Sequence, residues 1–135
     1  MTEAVLDASV VLKWFRAAGE QHVEAARAVR AAFEAGQAIA FAPPLLFLEI
    51  LNVTGRRWQL PARALDQLAL ALPKLGFRLV EPELPVVARW IADGLTAYDA
   101  AYVAVAQQLG VQLITDDREI LRAAPGVSRS LADYA

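Results

Sequence analysis

Five acidic residues interrupt otherwise apolar stretches of this chain. Asp7 stands between "EAVL" and "ASVVLKWF", Glu49 lies inside "LLFLEILNV", Asp99 opens "AYDAAYVAVAQQLG", and Asp116 and Asp117 follow "VQLIT". Asp7 follows a strand-like run, where it can cap the next helix or face the crevice that open α/β sheets present beyond the carboxyl ends of their strands. Glu49 is harder to account for structurally. On a helix its same-face neighbours are Leu45, Leu46, Asn52 and Val53. A buried carboxylate must be paired or give up its charge. A salt bridge to Arg56 or Arg57 is one solution and a metal or catalytic site the other; the reading taken is the site. Asp99 lies three residues after Thr96, the spacing of a capping box, where a carboxylate also complements the helix dipole. Its flanks, Tyr98, Ala100, Ala101 and Tyr102, point to a first helical turn packed closely against something. Asp116 and Asp117 project differently, so one is expected in the crevice and the other at a helix cap, with Thr115 able to support either.

If the first and fourth strands are neighbours, Asp7 and the Asp116/Asp117 pair share one end of the sheet. Carboxylates within about 6 Å raise each other's pKa, and a hard divalent cation relieves that conflict. Mg²⁺ or Mn²⁺ suits an all-oxygen site. Zn²⁺ prefers Cys or His; the chain has no Cys and its one His is His22. His22, among Glu20, Gln21 and Glu24, reads as a surface residue.

These acids need strands and helices to carry them, and the apolar pattern supplies both. Residues 3–6 predict a strand and Ser9 to Ala17 a helix, with Gly19 as breaker. "EQHVEAARAVRAAFEAG" is an amphipathic helix stopped by Gly36, and "AIAFA" a second strand. Pro43 and Pro44 open a helix over "LLFLEILNVTGRRW", and Pro61 another to about Leu72. "FRLVE" predicts a third strand, residues 84–93 a helix ended by Gly94, and Thr96 caps a helix that stops at Gly110. "VQLIT" is a fourth strand, "DDREILRAA" a short helix and "GVSRSL" a fifth strand. Strand–helix alternation with short apolar strands argues for a parallel sheet covered on both faces.

The bulk properties bound the function. The 135 residues suit one domain, spanning 1–135, and 57% are hydrophobic, high enough to predict a surface hidden against a partner. No apolar run reaches the ~18–20 residues of a membrane span, so no membrane association is expected. The N-terminal residues lack the basic segment and cleavage site of a secretory leader. Together with the absence of Cys this fits a cytoplasmic setting. The net charge of −2 offers no broad basic face, so any nucleic-acid binding has to be local and metal-assisted.

The segments "VLDASVVLKWF", "LEILNV", "LTAYDAAYVAVAQQLGVQLITDDREIL" and "SRSLADY" resemble the PIN domain, and within it the VapC-type toxins of toxin–antitoxin pairs. The resemblance covers essentially the whole chain. It implies a three-layer α/β/α sandwich around a mainly parallel sheet and a metal-dependent endoribonuclease that uses Mg²⁺ or Mn²⁺. Asp7, Glu49, Asp99 and Asp117 match the family's acids, with Asp116 as the substitute for the fourth. Ser9, Thr115 and Asn52 match supporting positions, Asn52 as the residue that orients Glu49. Lys13, Arg16 and Arg118 are candidate RNA-binding residues by proximity, and Trp14 and Phe15 are expected in the core or an interface rather than stacked on bases. The resemblance also implies a homodimer and a cognate antitoxin.

Other functions are less well matched. A dehalogenase-type phosphatase wants a second acid where Ser9 stands, and a response-regulator receiver wants an Asp that "FRLVEPE" does not offer. A PIN-type nuclease acting on another nucleic acid, or a non-catalytic interaction module whose acids are caps and ion pairs, are the remaining alternatives.

Overall fold

The computed structural model describes residues 2–134. β1 (Thr2–Leu6) runs into α1 (Ala8–Phe15). α2 (Val23–Glu34) and β2 (Ala38–Ala42) follow, then α3 (Leu45–Asn52), which continues as a π-helical turn over Val53–Arg57. α4 (Ala62–Ala71) ends in a 3₁₀ turn at Leu72–Leu75. β3 (Arg78–Leu79), α5 (Leu84–Ala92), α6 (Ala97–Leu109), β4 (Gln112–Thr115), α7 (Arg118–Ala123), β5 (Ser128–Ser130) and a last 3₁₀ turn complete the order.

All pairings in the five-stranded sheet are parallel, in the order β3-β2-β1-β4-β5. Parallel sheets need both faces covered, and the central strands are accordingly apolar on both. Val5, Leu6, Leu113 and Ile114 are buried, while the edge strands are limited to two and three residues. Helices flank the sheet on both faces, in the three-layer α/β/α arrangement expected. From β1 the chain builds outward through β2 and β3, then crosses back to place β4 on the other side of β1. That reversal opens a crevice at the carboxyl ends of β1 and β4. The register Leu6 to Ile114 leaves Asp7 beside Thr115.

α6 packs on β1 and β4. It can do so because its middle, Tyr102 apart, is made of alanines and valines: Ala100 through Ala106 are all buried. Thr96 caps it by accepting from the Asp99 amide at 3.1 Å, and Gly110 ends it in the left-handed conformation that glycine adopts without strain. Trp14 stacks against Phe33 and Phe77 and donates to the Ala26 carbonyl at 3.0 Å, so it is a core residue as expected; Phe15 is partly exposed.

Two elements differ from the sequence reading. The helix expected through Trp58 widens after Asn52, where the buried Thr54 hydroxyl bonds back to the Ile50 and Leu51 carbonyls at 2.8 and 3.2 Å. Trp58 N then reaches the Val53 carbonyl, five residues back, at 3.0 Å. The strand expected over "FRLVE" shrinks to Arg78–Leu79 because only Phe41 and Ala42 of β2 offer it partners.

Candidate metal centre

Asp7 fills the capping role open to it. As N-cap of α1 it accepts from Val10 N at 3.4 Å, and its carboxylate also receives the Ser9 hydroxyl at 2.6 Å and the Thr115 hydroxyl. These three donors favour the charged form, yet the side chain is only 4% exposed. Burial wins and pushes its pKa from 3.8 up to about 6, with the charge of Asp117 adding to the rise. The two hydroxyls also act as clips. Ser9 Oγ accepts from Asp116 N at 3.0 Å and Thr115 Oγ1 from Asp117 N at 2.9 Å, so the turn after β4 is fastened to Asp7.

Glu49 projects from α3 and Asp99 from the first turn of α6. Burial raises both. Asp99 reaches about 6, helped by the charges of Asp117 and Glu49, while Glu49 is also raised by Asp117 and lowered by a hydrogen bond from Tyr102. The charge of Asp117 therefore acts on Asp7, Glu49 and Asp99 alike. The four carboxylates, from the end of β1, α3, α6 and the β4–α7 turn, are thus near enough for their charges to act on one another. Among the described residues no three His, Asp or Glu side chains stand together closely enough to hold a metal ion as they are placed. The donor set is all carboxylate oxygen, short of countercharge and held against its own repulsion, which fits a hard divalent cation.

The structure separates the adjacent aspartates. Asp117 caps α7, accepting from Glu119 N at 2.8 Å and Ile120 N at 3.2 Å, both at Oδ1, and faces the other acids. Asp116 turns away, with Oδ2 3.2 Å from Lys13 Nζ and Oδ1 3.0 Å from His22 Nδ1. Lys13 also reaches Glu20 at 3.4 Å. Lys13, a candidate RNA-binding residue by proximity, is 5% exposed and paired with both Asp116 and Glu20 within the fold. Arg16 and Arg118 are exposed. His22 lies near the surface, as expected, but joined to Asp116.

Asn52 does not orient Glu49. It is exposed and makes no hydrogen bond to that carboxylate; Tyr102 donates to Glu49 Oε1 instead. Tyr102 is fully buried, and its phenol pKa is raised by burial and by the charges of Glu49, Asp7 and Asp99. Sequence reading counted it only as a packing flank of Asp99. The available signal was its place one turn after Asp99 on the same face of α6, as a polar-tipped side chain in an otherwise apolar run. Tyr102→Phe is expected to lower Mn²⁺ affinity or turnover by about 10- to 100-fold while the fold survives, since it frees Glu49 from its only described hydrogen-bond donor. Metal titration beside a melting curve checks this.

The family model described as "PIN domain" matches residues 4–125. Among solved structures, the chain is similar to PAE2754 from Pyrobaculum aerophilum, with 25% identity, a TM-score of 0.67, and coverage of 96% of this chain and 90% of that one. It is also similar in fold to a chain in the structure of FitAB bound to an IR36 DNA fragment, with 18% identity, a TM-score of 0.65, and coverage of 96% and 95%. A search of the curated proteins returned no match.

Proposed function

The chain belongs to the PIN-domain family, whose members are generally metal-dependent nucleases, and on that premise we propose that it is an endoribonuclease using Mg²⁺ or Mn²⁺ and acting as the toxin of a toxin–antitoxin pair. The observation that carries the reading is the set of acids gathered around the β1/β4 switch point, where burial raises Asp7, Glu49 and Asp99 and the charge of Asp117 adds to each. Asp7 and Asp99 are the main ligands, with Glu49 and Asp117 completing the donor set. Bound there, a divalent cation would supply an activated water and neutralise charge on the phosphoryl oxygens.

The chain's own residues do the positioning. Ser9 and Thr115 hold the Asp7 carboxylate with both oxygens fixed, and Tyr102 holds Glu49. A carboxylate of the set accepts the proton from the attacking water. Exposed apolar side chains support a protein partner: Leu48 and Tyr98 border the hollow that Glu49 and Asn52 share. We assign that partner as the antitoxin, and the protein as a cytoplasmic homodimer. Among the described residues no helix is long and apolar enough to cross a membrane.

The test is incubation of purified, antitoxin-free protein with a mixed RNA panel and Mg²⁺ or Mn²⁺, beside Asp7→Asn. Cleavage by the wild type alone is the expected result. Equal cleavage by both proteins would assign the activity to a contaminant.

A further inference from the structure

A second hollow is lined by Leu12, Arg16, Glu20, Val53, Arg57 and Trp58. Val53 also lines the hollow that holds Glu49 and Asn52. Arg16 lies across the Trp58 ring, its guanidinium carbon 5.2 Å from the ring centroid. Arg57 stands exposed on the same wall. The only carboxylate there, Glu20, is engaged by Lys13.

Arg27, Arg30 and Arg122 each pair with a glutamate one turn away on their own helices. Among the described residues Arg16 and Arg57 have no carboxylate within salt-bridge distance. Two guanidiniums without a carboxylate partner and an indole thus line one hollow.

The backbone is bent to make that meeting. The π-helical turn at Val53–Arg57 carries Arg57 and delivers Trp58, and Gln59 immediately after it takes a left-handed φ of 56°. A π turn and a left-handed residue without a glycine each cost stability and tend to sit at functional places.

We propose that this hollow is a subsite for single-stranded RNA a few nucleotides from the cleaved bond, in which Arg16 and Arg57 bind backbone phosphates and the Trp58–Arg16 pair stacks a base. The subsite rests on the nuclease reading for its purpose. Arg16 caps the C-terminal end of the helix that Asp7 caps at its start, so about 13 Å of helix separates them, a span of a few nucleotides. Arginine forks suit phosphate oxygens, and an arginine laid on an indole offers a flat surface to any base.

The experiment is anisotropy of a labelled single-stranded RNA oligonucleotide against salt concentration, in chelator so that no cleavage occurs. Arg16→Ala and Arg57→Ala are each expected to weaken binding about 10-fold and to reduce the slope of log K against log salt by about 0.7. Arg16→Lys keeps the phosphate contact and should retain the slope, while Trp58→Leu should weaken binding and leave the slope unchanged. With Mn²⁺ present, both alanine variants should raise KM and preserve kcat. No RNA binding by the wild type, or affinity and slope unchanged in both alanine variants, overturns the subsite and leaves the hollow to a protein partner. Salt slopes that change as expected in a wild type that cleaves nothing would instead remove the nuclease reading and keep the subsite.

Discussion

Asp7→Asn is expected to reduce RNA cleavage by at least about 100- to 1000-fold, because a metal site that loses its central ligand forfeits several kcal/mol of transition-state stabilisation. The same variant should be more stable than the wild type at pH 7 in chelator. The folded pKa of Asp7 is about 6, above its ordinary 3.8, so the folded protein binds that proton more tightly than the unfolded chain does. Ionising it at neutral pH costs stability, about 2–3 kcal/mol for a shift of this size in a buried group. Asparagine removes that charge, caps a helix as well as aspartate does, and still accepts the Ser9 hydroxyl. Urea unfolding of both proteins in chelator checks this. A gain at pH 7 that disappears below about pH 4, where the unfolded acid is also protonated, identifies Asp7 as the source. A variant less stable at pH 7 would mean that the Ser9 and Thr115 clips outweigh the burial of charge.

The second large effect is metal-linked stability with a reversed pH dependence. Carboxylates that are paired when folded usually make proteins more stable as pH rises from 3 to 6. The crevice acids act in the opposite sense. Asp7 and Asp99 have folded pKa values of about 6, so each contributes a loss of stability as pH rises from about 4 through 6, and Glu49, also raised by burial, acts in the same sense. The half-buried Asp99 and Glu49 contribute less than Asp7, since solvent screens them. Mn²⁺ should recover the loss at pH 7, stabilising by about 2.7 kcal/mol at a hundredfold excess over Kd. The gain should fade below about pH 5, where protons displace the ion. Thermal melts at pH 5 and 7, with Mn²⁺ and with chelator, measure this. An Mn²⁺ shift as large at pH 5 as at pH 7 would place the ion elsewhere.

The architecture was legible because strand runs such as "AIAFA" and "QLIT" are apolar, short and separated by well-capped helices. The Thr96 cap and Gly110 stop fix α6 to the residue. The adjacency of β1 and β4, on which the meeting of Asp7 and Asp117 depends, was a condition in the sequence and is an observed pairing in the fold. What could not be read depends on contacts between distant segments. Lys13 and Asp116 lie more than a hundred residues apart, so nothing local marks Lys13 as buried. Tyr102 meets Glu49 across fifty-three positions, and Asn52, the nearer candidate, points to solvent. The π turn at Val53–Arg57 arises from how Thr54 packs, which helical periodicity does not encode.

The central claim is that these acids bind a divalent cation, and calorimetric titration of Mn²⁺ at neutral pH tests it most directly. The account predicts saturable binding by the wild type, loss of that binding in Asp7→Asn, and marked weakening in Asp99→Asn. No binding at millimolar Mn²⁺, or identical isotherms for wild type and Asp7→Asn, would contradict it.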